Sequence, residues 1–154
     1  MTVLDDLVRL VEDVAGLKSK LVLLIGPPRS GKSKLLEQLS MRRNVPVVRL
    51  GEALGRLLAP LPASQRHPMA PDLLSGLAGG AGGQDLLLLD NIEILFDRTL
   101  RLSPLDLMRR HSHGRRVVAA WPGELRDGRL VYAVPGHPEH QNYGTEGWVP
   151  CSVG

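Results

Sequence analysis

The sequence is poor in aromatic residues and contains a single cysteine. Aromatic residues make up 3% of its 154 positions, so the core has to be built from Leu, Val, Ile and Ala. Cys151 has no partner cysteine, which excludes an internal disulfide and gives no sign of a secreted framework. No apolar run approaches the roughly 18 residues of a transmembrane helix, and Asp5 and Asp6 stand where a signal peptide carries positive charge. We therefore expect a soluble cytoplasmic protein without a membrane partner.

The charge balance of the chain is only mildly basic. Hydrophobic residues make up 43% and charged residues 23% of the sequence, which is ordinary for a globular domain of this size. The formal net charge of +3 permits duplex DNA or an acidic protein as a partner but requires neither.

Apolar runs alternate with segments of helical periodicity. Helices are predicted over 3–15, 32–43, 52–58 and 103–114. The predicted strands are KLVLLIG, VPVVRLG, DLLLLD, RRVVAAW and RLVYAV. This alternation predicts an α/β domain with a mainly parallel sheet over 1–140, followed by an irregular C-terminal tail over 141–154.

Local signals mark where the predicted helices begin and end. Thr2 with Asp5, and Ser103 with Asp106, have the spacing of capping boxes. Prolines at 60, 62, 68 and 71 are predicted to break the helix that precedes them, and 76–84 is predicted to be a flexible connector or a frayed helix end.

The strongest motif is GPPRSGKS, which matches the phosphate-binding pattern G-x-x-x-x-G-K-[ST] between a predicted strand and a predicted helix. Gly26 lets the chain turn off the strand, and Gly31 lets the backbone N–H groups close around phosphate at a helix N-terminus. Lys32 is predicted to bind the β- and γ-phosphates of ATP, and Ser33 to bind Mg²⁺. The predicted ATP-binding residues are Gly26, Pro27, Pro28, Arg29, Ser30, Gly31, Lys32, Ser33 and Lys34.

A second acidic site follows the apolar run that ends at Asp90. Asp90 is predicted to bind Mg²⁺ through water, although an Asp here could instead cap the next helix. The larger classes of P-loop ATPase usually place a catalytic glutamate next, whereas this chain has Asn91, with Glu93 two positions later. Asn91 can hold a water but cannot accept its proton, and Glu93 could do so if the strand ends at Asp90. The predicted catalytic residues are Lys32, Asp90, Glu93 and Asn91, with hydrolysis that is slow or waits for a partner.

The end of the fourth predicted strand is unusual. It continues as Trp121-Pro122-Gly123-Glu124, without the Asn, Thr or Ser that often senses the γ-phosphate. After the fifth predicted strand about twenty residues remain, too few for the helical lid of AAA+ ATPases. Closure of the site is therefore expected from another subunit, which predicts a homo-oligomer or docking on a partner. The candidates for an arginine finger are Arg98, Arg101, Arg109, Arg110, Arg115 and Arg116.

Four segments together resemble a known family: LVLLIGPPRSGKSKLL, LLLLDNIEILFD, VVAAWPGEL and GRLVYAVPGHPEH. They are similar to BrxF, the small P-loop proteins of type 3 BREX phage-defence systems, and the similarity extends from the first helix to about His140. The resemblance implies a bacterial cytoplasmic nucleotide-binding protein that acts with other BREX proteins. Those include a DNA methyltransferase, a large ATPase and an alkaline-phosphatase-like protein. Arg29 departs from the family's loop, which typically has glycine at this position.

The fold expected from these features is a P-loop NTPase of the ASCE, AAA+-like type. It is a three-layer α/β sandwich with a mainly parallel five-stranded sheet of order 5-1-4-3-2 and no C-terminal helical lid. The leading hypothesis is an ATPase or ATP-dependent switch that uses ATP and Mg²⁺ within a BREX system. The alternatives are a non-hydrolysing nucleotide-binding adaptor, which could contact duplex DNA, and a small-molecule kinase, which would need an acceptor pocket and a basic lid.

Overall fold

The computed structural model describes residues 2–81, 85–132, 141–143 and 147–153. The α-helices are α1 Val3–Asp13, α2 Lys32–Arg43, α3 Leu50–Leu58, α4 Ala63–Ala81 and α5 Pro104–Gly114. The strands are β1 Leu21–Ile25, β2 Val47–Arg49, β3 Leu86–Asp90, β4 Arg116–Ala120, β5 Gly123–Arg126, β6 Arg129–Tyr132, β7 Gln141–Tyr143 and β8 Val149–Ser152. Three short 3₁₀ helices cover Val14–Gly16, Ile92–Phe96 and Arg98–Leu100. Within the described residues, no helix has the length and apolar character of a membrane span.

The core of the fold is a parallel sheet of five strands in the order β2-β3-β4-β1-β8. Residues of β1 face both layers of helices: Leu21 and Leu23 pack with α3, α4 and α5, and Val22 and Leu24 pack with α1 and α2. Burial on both faces explains why the strands are continuous apolar runs rather than alternating sequences. The α/β class and the parallel five-stranded sheet are confirmed.

The predicted order 5-1-4-3-2 is correct for the first four strands, but the identity of the fifth strand was wrong. The segment RLVYAV was predicted to pair with β1, whereas β6 lies in a separate antiparallel sheet of order β5-β6-β7. Asp127 and Gly128 have φ angles of 52° and 74° and join β5 to β6 as a two-residue turn. Positive φ at both positions is the geometry of a tight hairpin, which holds β6 antiparallel to β5. The rest of that segment, 133–134, lies outside the described residues.

The fifth position of the parallel sheet is taken by β8, near the C-terminus. The expectation of an irregular tail over 141–154 was therefore wrong for 141–143, which is β7, and for 149–152, which pairs with β1 from Val22↔Val149 to Ile25↔Ser152. Trp148, Cys151 and Val153 are buried. Pairing with β8 satisfies the backbone of β1, which has no exposure at Leu21–Leu24 and would otherwise be a buried sheet edge.

Helix α3 ends at Leu58, before Pro60 and Pro62, as predicted, but the chain continues as a second helix through Pro68 and Pro71, contrary to the prediction. Helix α4 includes both Pro68 and Pro71. Each proline removes one backbone hydrogen bond from the helix, but Ala70, Leu74 and Ala78 recur every four residues and bury one face of α4 in the core. Tertiary packing thus outweighs the local cost of the prolines. Of the predicted connector, 76–81 is helical and 82–84 lies outside the described residues.

The two predicted capping boxes had different outcomes. At α1 the Thr2 hydroxyl accepts from the Asp5 N–H, and the Asp5 carboxylate accepts from the Thr2 N–H, so the capping box is confirmed. At α5 the side chain of Ser103 makes no capping hydrogen bond, and Asp106 instead lies 3.7 Å from the Arg109 guanidinium. The predicted capping box at α5 was wrong because the carboxylate pairs along its own helix.

Candidate functional site

The phosphate-binding motif forms a loop between β1 and α2. Its backbone has two left-handed positions, Arg29 with φ of 64° and Gly31 with φ of 102°. Gly31 is the N-cap of α2 and offers no side-chain hydrogen bond. The first N–H groups of a helix have no partner within the helix, so in α2 they are available to a bound anion.

Gly26 lies where the loop touches the C-terminal end of the chain. A Cβ atom at Gly26 would be 2.2 Å from the carbonyl oxygen of Val153 and 2.7 Å from the Oγ of Ser30. The Val153 N–H donates to the Ile25 carbonyl at 2.8 Å, which fixes this close approach. The Ser30 hydroxyl is buried and has no hydrogen-bond partner among the residues that the structure describes. The loop is thus packed tightly against the segment that follows β8.

Lys32, the first residue of α2, places its ammonium between the ends of two strands. Its Nζ donates to the Gly26 carbonyl at 2.8 Å and to the Trp121 carbonyl at 2.9 Å. Burial lowers the pKa of Lys32, while the carboxylates of Glu93 and Asp90 act in the opposite direction. The lysine therefore lies within electrostatic reach of both acidic residues that the sequence singled out.

Strand β3 ends at Asp90, and the chain then turns sharply. Asn91 has a left-handed φ of 53°, and its N–H donates to Asp90 Oδ1 at 2.8 Å. The side chain of Asn91 lies against the first turn of α3, where a Cβ at Gly51 would be 2.7 Å from Asn91 Oδ1. The Gly51 N–H also donates to the Asn91 carbonyl at 2.9 Å. Glu93 follows on the 3₁₀ helix Ile92–Phe96 and is exposed. The condition under which Glu93 could reach the site, a strand that ends at Asp90, is met.

These residues line one cleft of about 1420 Å³ at the carboxyl ends of the parallel strands, where open α/β sheets commonly bind ligands. The predicted site residues that line it are Gly26, Pro27, Pro28, Lys32, Ser33, Asp90, Asn91 and Glu93. Those that belong to the loop and α2 but do not line the cleft are Arg29, Ser30, Gly31 and Lys34. The roles assigned to these residues remain predictions.

The β5–β6 hairpin forms a part of the cleft wall that was not predicted from the sequence. The hairpin lines the cleft together with the phosphate loop (residues 26–33). Its lining residues are Gly123, Glu124 and Leu125 of β5 and Val131 and Tyr132 of β6. The Asp-Gly dipeptide at 127–128 predicts a turn before the strand RLVYAV, and as a hairpin signal it could also have identified β5. Nothing local in the sequence indicates that the hairpin would turn toward the nucleotide-binding motif.

The six arginines proposed as finger candidates lie elsewhere on the chain, and none of them lines the cleft. Arg116 pairs with Asp85 at 2.9 Å. Arg98 and Arg101 line a separate groove with Ser64 and His67 of α4. The cleft contains Arg49 instead, whose guanidinium pairs with Glu37 at 2.9 Å. An arginine finger from this cluster would therefore have to act on the cleft of another subunit.

Comparisons with known proteins place few constraints on this chain. No protein-family model matches it, and no curated protein shows significant similarity to it. Among solved structures, the chain is similar to C. elegans PCH-2, with 15% identity and a TM-score of 0.47. That similarity covers 99% of this chain and 42% of PCH-2, so the chain spans less than half of that protein. At this identity and TM-score the similarity assigns neither a ligand nor a partner.

Proposed function

We propose that the chain is a P-loop protein that binds ATP with Mg²⁺ and hydrolyses it slowly or on assembly. The observation that carries this proposal is the position of the Lys32 ammonium. It lies at the carboxyl ends of β1 and β4, in one cleft with Asp90 and Glu93. A lone glycine-rich turn would not bring a half-buried lysine and two carboxylates together at the edge of a parallel sheet.

The loop fits a phosphate group on two independent observations. The first turn of α2 has no side-chain cap from Gly31, which leaves N–H donors at the positive end of the helix dipole. The buried Ser30 hydroxyl has no partner within the described part of the chain, and a buried hydroxyl without a partner is uncommon in proteins. The first feature supplies hydrogen-bond donors where the motif predicts phosphate. The second leaves a donor without an acceptor in the same loop, although Ser30 does not line the cleft.

The proposed roles follow from the chemistry of each side chain. Lys32 exchanges a carbonyl acceptor for phosphate oxygens, which form stronger charge-assisted hydrogen bonds. Ser33 and Asp90 both line the cleft, and they would hold Mg²⁺ through hydroxyl and carboxylate oxygens. Magnesium would supply positive charge against the phosphates.

Glu93 is the better candidate for the general base. Its carboxylate is exposed on the cleft and can accept a proton. The amide of Asn91 cannot accept a proton, and its side chain lies against α3 at Gly51. We propose that Asn91 holds the turn after β3 and that Glu93 activates water.

Partner dependence and a role in BREX defence complete the proposal. None of the six clustered arginines lines the cleft in the described residues, where Arg49 is paired with Glu37, so an arginine finger from that cluster would act on the cleft of a second subunit. The motifs D-N-I-E and A-W-P-G-E resemble those of BrxF. We propose action with other BREX proteins in the cytoplasm. In an intact system, Lys32→Ala should then abolish protection against phage, and undiminished protection would contradict this role.

The test is ATP binding by calorimetry together with phosphate release across a protein-concentration series, with and without duplex DNA. Lys32→Ala should weaken ATP binding by about 10- to 100-fold, because it removes charge-assisted hydrogen bonds. Glu93→Gln should leave binding unchanged and lower hydrolysis by about 100-fold or more. Lys18→Ala, which removes an exposed lysine outside the cleft, is the matched control. Full ATP affinity in Lys32→Ala would contradict the proposal.

A nucleotide-dependent switch without hydrolysis is the second candidate. The contact between Asn91 and Gly51 supports it, because this contact joins the turn beside Asp90 to helix α3. Tight ATP binding without phosphate release at any protein concentration would favour the switch. Hydrolysis that rises with concentration and vanishes in Glu93→Gln would favour the ATPase.

A further inference from the structure

Trp121 joins the phosphate site to the core and to the hairpin. Its carbonyl accepts from the Lys32 ammonium at 2.9 Å, and its N–H donates to the Leu24 carbonyl at 2.9 Å. Its indole Nε1 donates to the Val131 carbonyl of β6 at 3.1 Å. The side chain is fully buried. A single residue therefore contacts the loop lysine through its backbone and the hairpin through its ring.

Trp121 and the hairpin are packed closely against each other at Gly123. A Cβ at Gly123 would be 1.9 Å from the Val131 carbonyl oxygen and 2.8 Å from Trp121 Nε1. The indole, β5 and β6 are therefore in close contact at this point. Because packed groups move together rather than deform continuously, a shift of Trp121 would move the base of the hairpin.

Trp121 also makes an aromatic contact with the 3₁₀ helix that contains Glu93. Phe96 packs edge-to-face with Trp121 at a centroid distance of 5.3 Å and stacks on Tyr132 of β6 at 3.8 Å. Phe96 ends the 3₁₀ helix that carries Glu93. The indole of Trp121 is thus packed against the segment that positions the proposed base as well as against the hairpin.

We propose that Trp121 is a positioning residue that couples phosphate binding at Lys32 to the hairpin β5–β6 and to Glu93. This inference rests on the proposed function, since it requires a phosphate group in the loop. Phosphate oxygens compete with the Gly26 and Trp121 carbonyls for the Lys32 ammonium, and they are the stronger acceptors. The Trp121 carbonyl then loses its charged donor, and the backbone to which the indole and Gly123 belong relaxes.

Part of the hairpin is exposed to solvent, so the proposed relaxation around Trp121 would alter the protein surface. Leu125 of β5 lines the cleft and is 44% exposed, and Glu124 beside it is also exposed. Residues on one strand of the hairpin thus contact the nucleotide cleft and solvent together. The hairpin is therefore the region in which a partner could distinguish the nucleotide-bound protein.

Tryptophan fluorescence tests the coupling directly, because the chain has two tryptophans and one of them can be removed. In Trp148→Phe, emission reports Trp121 alone. Calorimetry first establishes the concentration at which MgADP or a non-hydrolysable MgATP analogue saturates this variant. At saturation we expect a shift in the emission maximum or a change in intensity. The same variant with Lys32→Met, at its own saturating concentration, should lose that response.

The outcomes separate the coupling from the proposed function. Saturable nucleotide binding without a change in Trp121 emission would overturn the coupling and leave the proposed function standing. An equal response in the Lys32→Met protein would show that the signal does not pass through the lysine and would also overturn it. Absence of nucleotide binding in calorimetry would overturn both.

Hydrolysis by conservative variants gives a second readout. Trp121→Phe retains the backbone carbonyl and an aromatic ring but removes the Nε1 bond to Val131. We expect kcat to fall by about 10-fold with KM changed less than about 3-fold, because Glu93 is displaced while the phosphate loop is intact. Trp148→Phe is the matched control, since Trp148 is buried in the same core but does not line the cleft. Equal kcat in the two variants would contradict positioning by Trp121.

Discussion

The two faces of the central sheet are built from different side chains. The aliphatic face packs against α1 and α2 and contains no aromatic residue in the described part of the chain; its members include Leu7, Val22, Leu24, Leu36 and Val118. The aromatic face, on the side of α3, α4 and α5, contains Phe96, Trp121, Tyr132 and Trp148. In a chain with 3% aromatic residues, this separation places the largest and most directional side chains on one side.

The difference in side chains indicates that the two faces of the sheet have different structural roles. Aliphatic packing on the first face holds β1 and α2, the two elements between which the phosphate loop is formed. Aromatic rings on the second face make contacts of defined geometry, and the indole of Trp121 adds a hydrogen bond. The aliphatic face therefore supports the site, and the aromatic face connects it with the hairpin. Each of the following substitutions probes that comparison.

The largest expected effect comes from truncation of one buried side chain on each face. Leu7→Ala on the aliphatic face should lower the free energy of unfolding by about 2–5 kcal/mol, and Trp121→Ala on the aromatic face by about 3–5 kcal/mol. Urea unfolding measures both losses. Hydrolysis at saturating ATP, measured where each variant is still folded, should fall further in Trp121→Ala, which alone loses the indole contacts with Val131 and Phe96. An equal loss of hydrolysis in the folded Leu7→Ala protein would contradict the division between the faces.

Gly26→Ala should disturb the contact between the phosphate loop and the C-terminal strand. The added Cβ would clash with the Val153 carbonyl, so we expect destabilisation by about 1–3 kcal/mol. Burial raises the pKa of the Cys151 thiol, and Asp6 adds to this effect, so native protein should alkylate slowly. Gly26→Ala should accelerate alkylation, while Gly79→Ala, with nothing within 4 Å of its Cβ, should not. Unchanged alkylation would mean that the loop and β8 are not tightly joined.

Acid should destabilise the protein through His111 on α5, which packs on the aromatic face. Burial lowers the pKa of His111 below its usual 6.5, and the Arg115 and Arg110 guanidinium groups add to the effect. Below pH 6.5 the unfolded chain binds a proton that the folded chain does not bind. Stability contributed by this residue is therefore lost as the pH falls from 6.5 to the lowered pKa, by less than about 1.4 kcal/mol per pH unit.

Denaturant unfolding between pH 5 and pH 8 checks this expectation. His111→Gln should unfold with a flatter pH dependence across this range than the parent protein. His113→Gln is the comparison, because His113 lies on the same helix and is exposed. A parent and His111→Gln protein with the same pH dependence would show that His111 protonates freely in the folded state.

The smallest effect is expected at Arg29 in the phosphate loop. Its left-handed φ of 64° is costly for a residue with a Cβ. Relief of this strain is partly offset because glycine gives the unfolded chain more freedom. Arg29→Gly should therefore raise the free energy of unfolding by about 1 kcal/mol or less, measured by thermal and urea unfolding. Destabilisation would indicate that the guanidinium makes a contact that stabilises the loop.

Much of the parallel sheet could be predicted from the sequence because its signals are local. An apolar run buried on both faces is recognisable residue by residue, and the phosphate motif is contiguous from 26 to 33. The prediction for α4 was wrong because it considered only the hydrogen bonds that Pro68 and Pro71 remove from a helix. The opposing effect is the burial of Ala70, Leu74 and Ala78, which depends on the elements that pack against them. Tertiary burial is not visible in a local window of sequence.

The site shows the same limit. Asp90 and Glu93 were identified from their distance from a strand end, and the cleft does contain both. The contact between Lys32 and Trp121 was missed because it joins residues 89 positions apart in the chain. The contact uses a backbone carbonyl, which every residue has. No pattern of side chains could have indicated it.

The sequence by itself determined the glycine-rich loop over 26–33, the acidic strand end and the first four strands of the sheet, because each depends on a contiguous pattern of apolar, glycine or charged residues. The tertiary structure decided which segment pairs with the free side of β1. Positive φ at Asp127 and Gly128 holds β6 antiparallel to β5, so β8 takes the remaining position beside β1. It also decided that the hairpin faces Lys32, because that placement depends on packing among Trp121, Phe96 and Tyr132. Such packing exists only once distant parts of the chain have met.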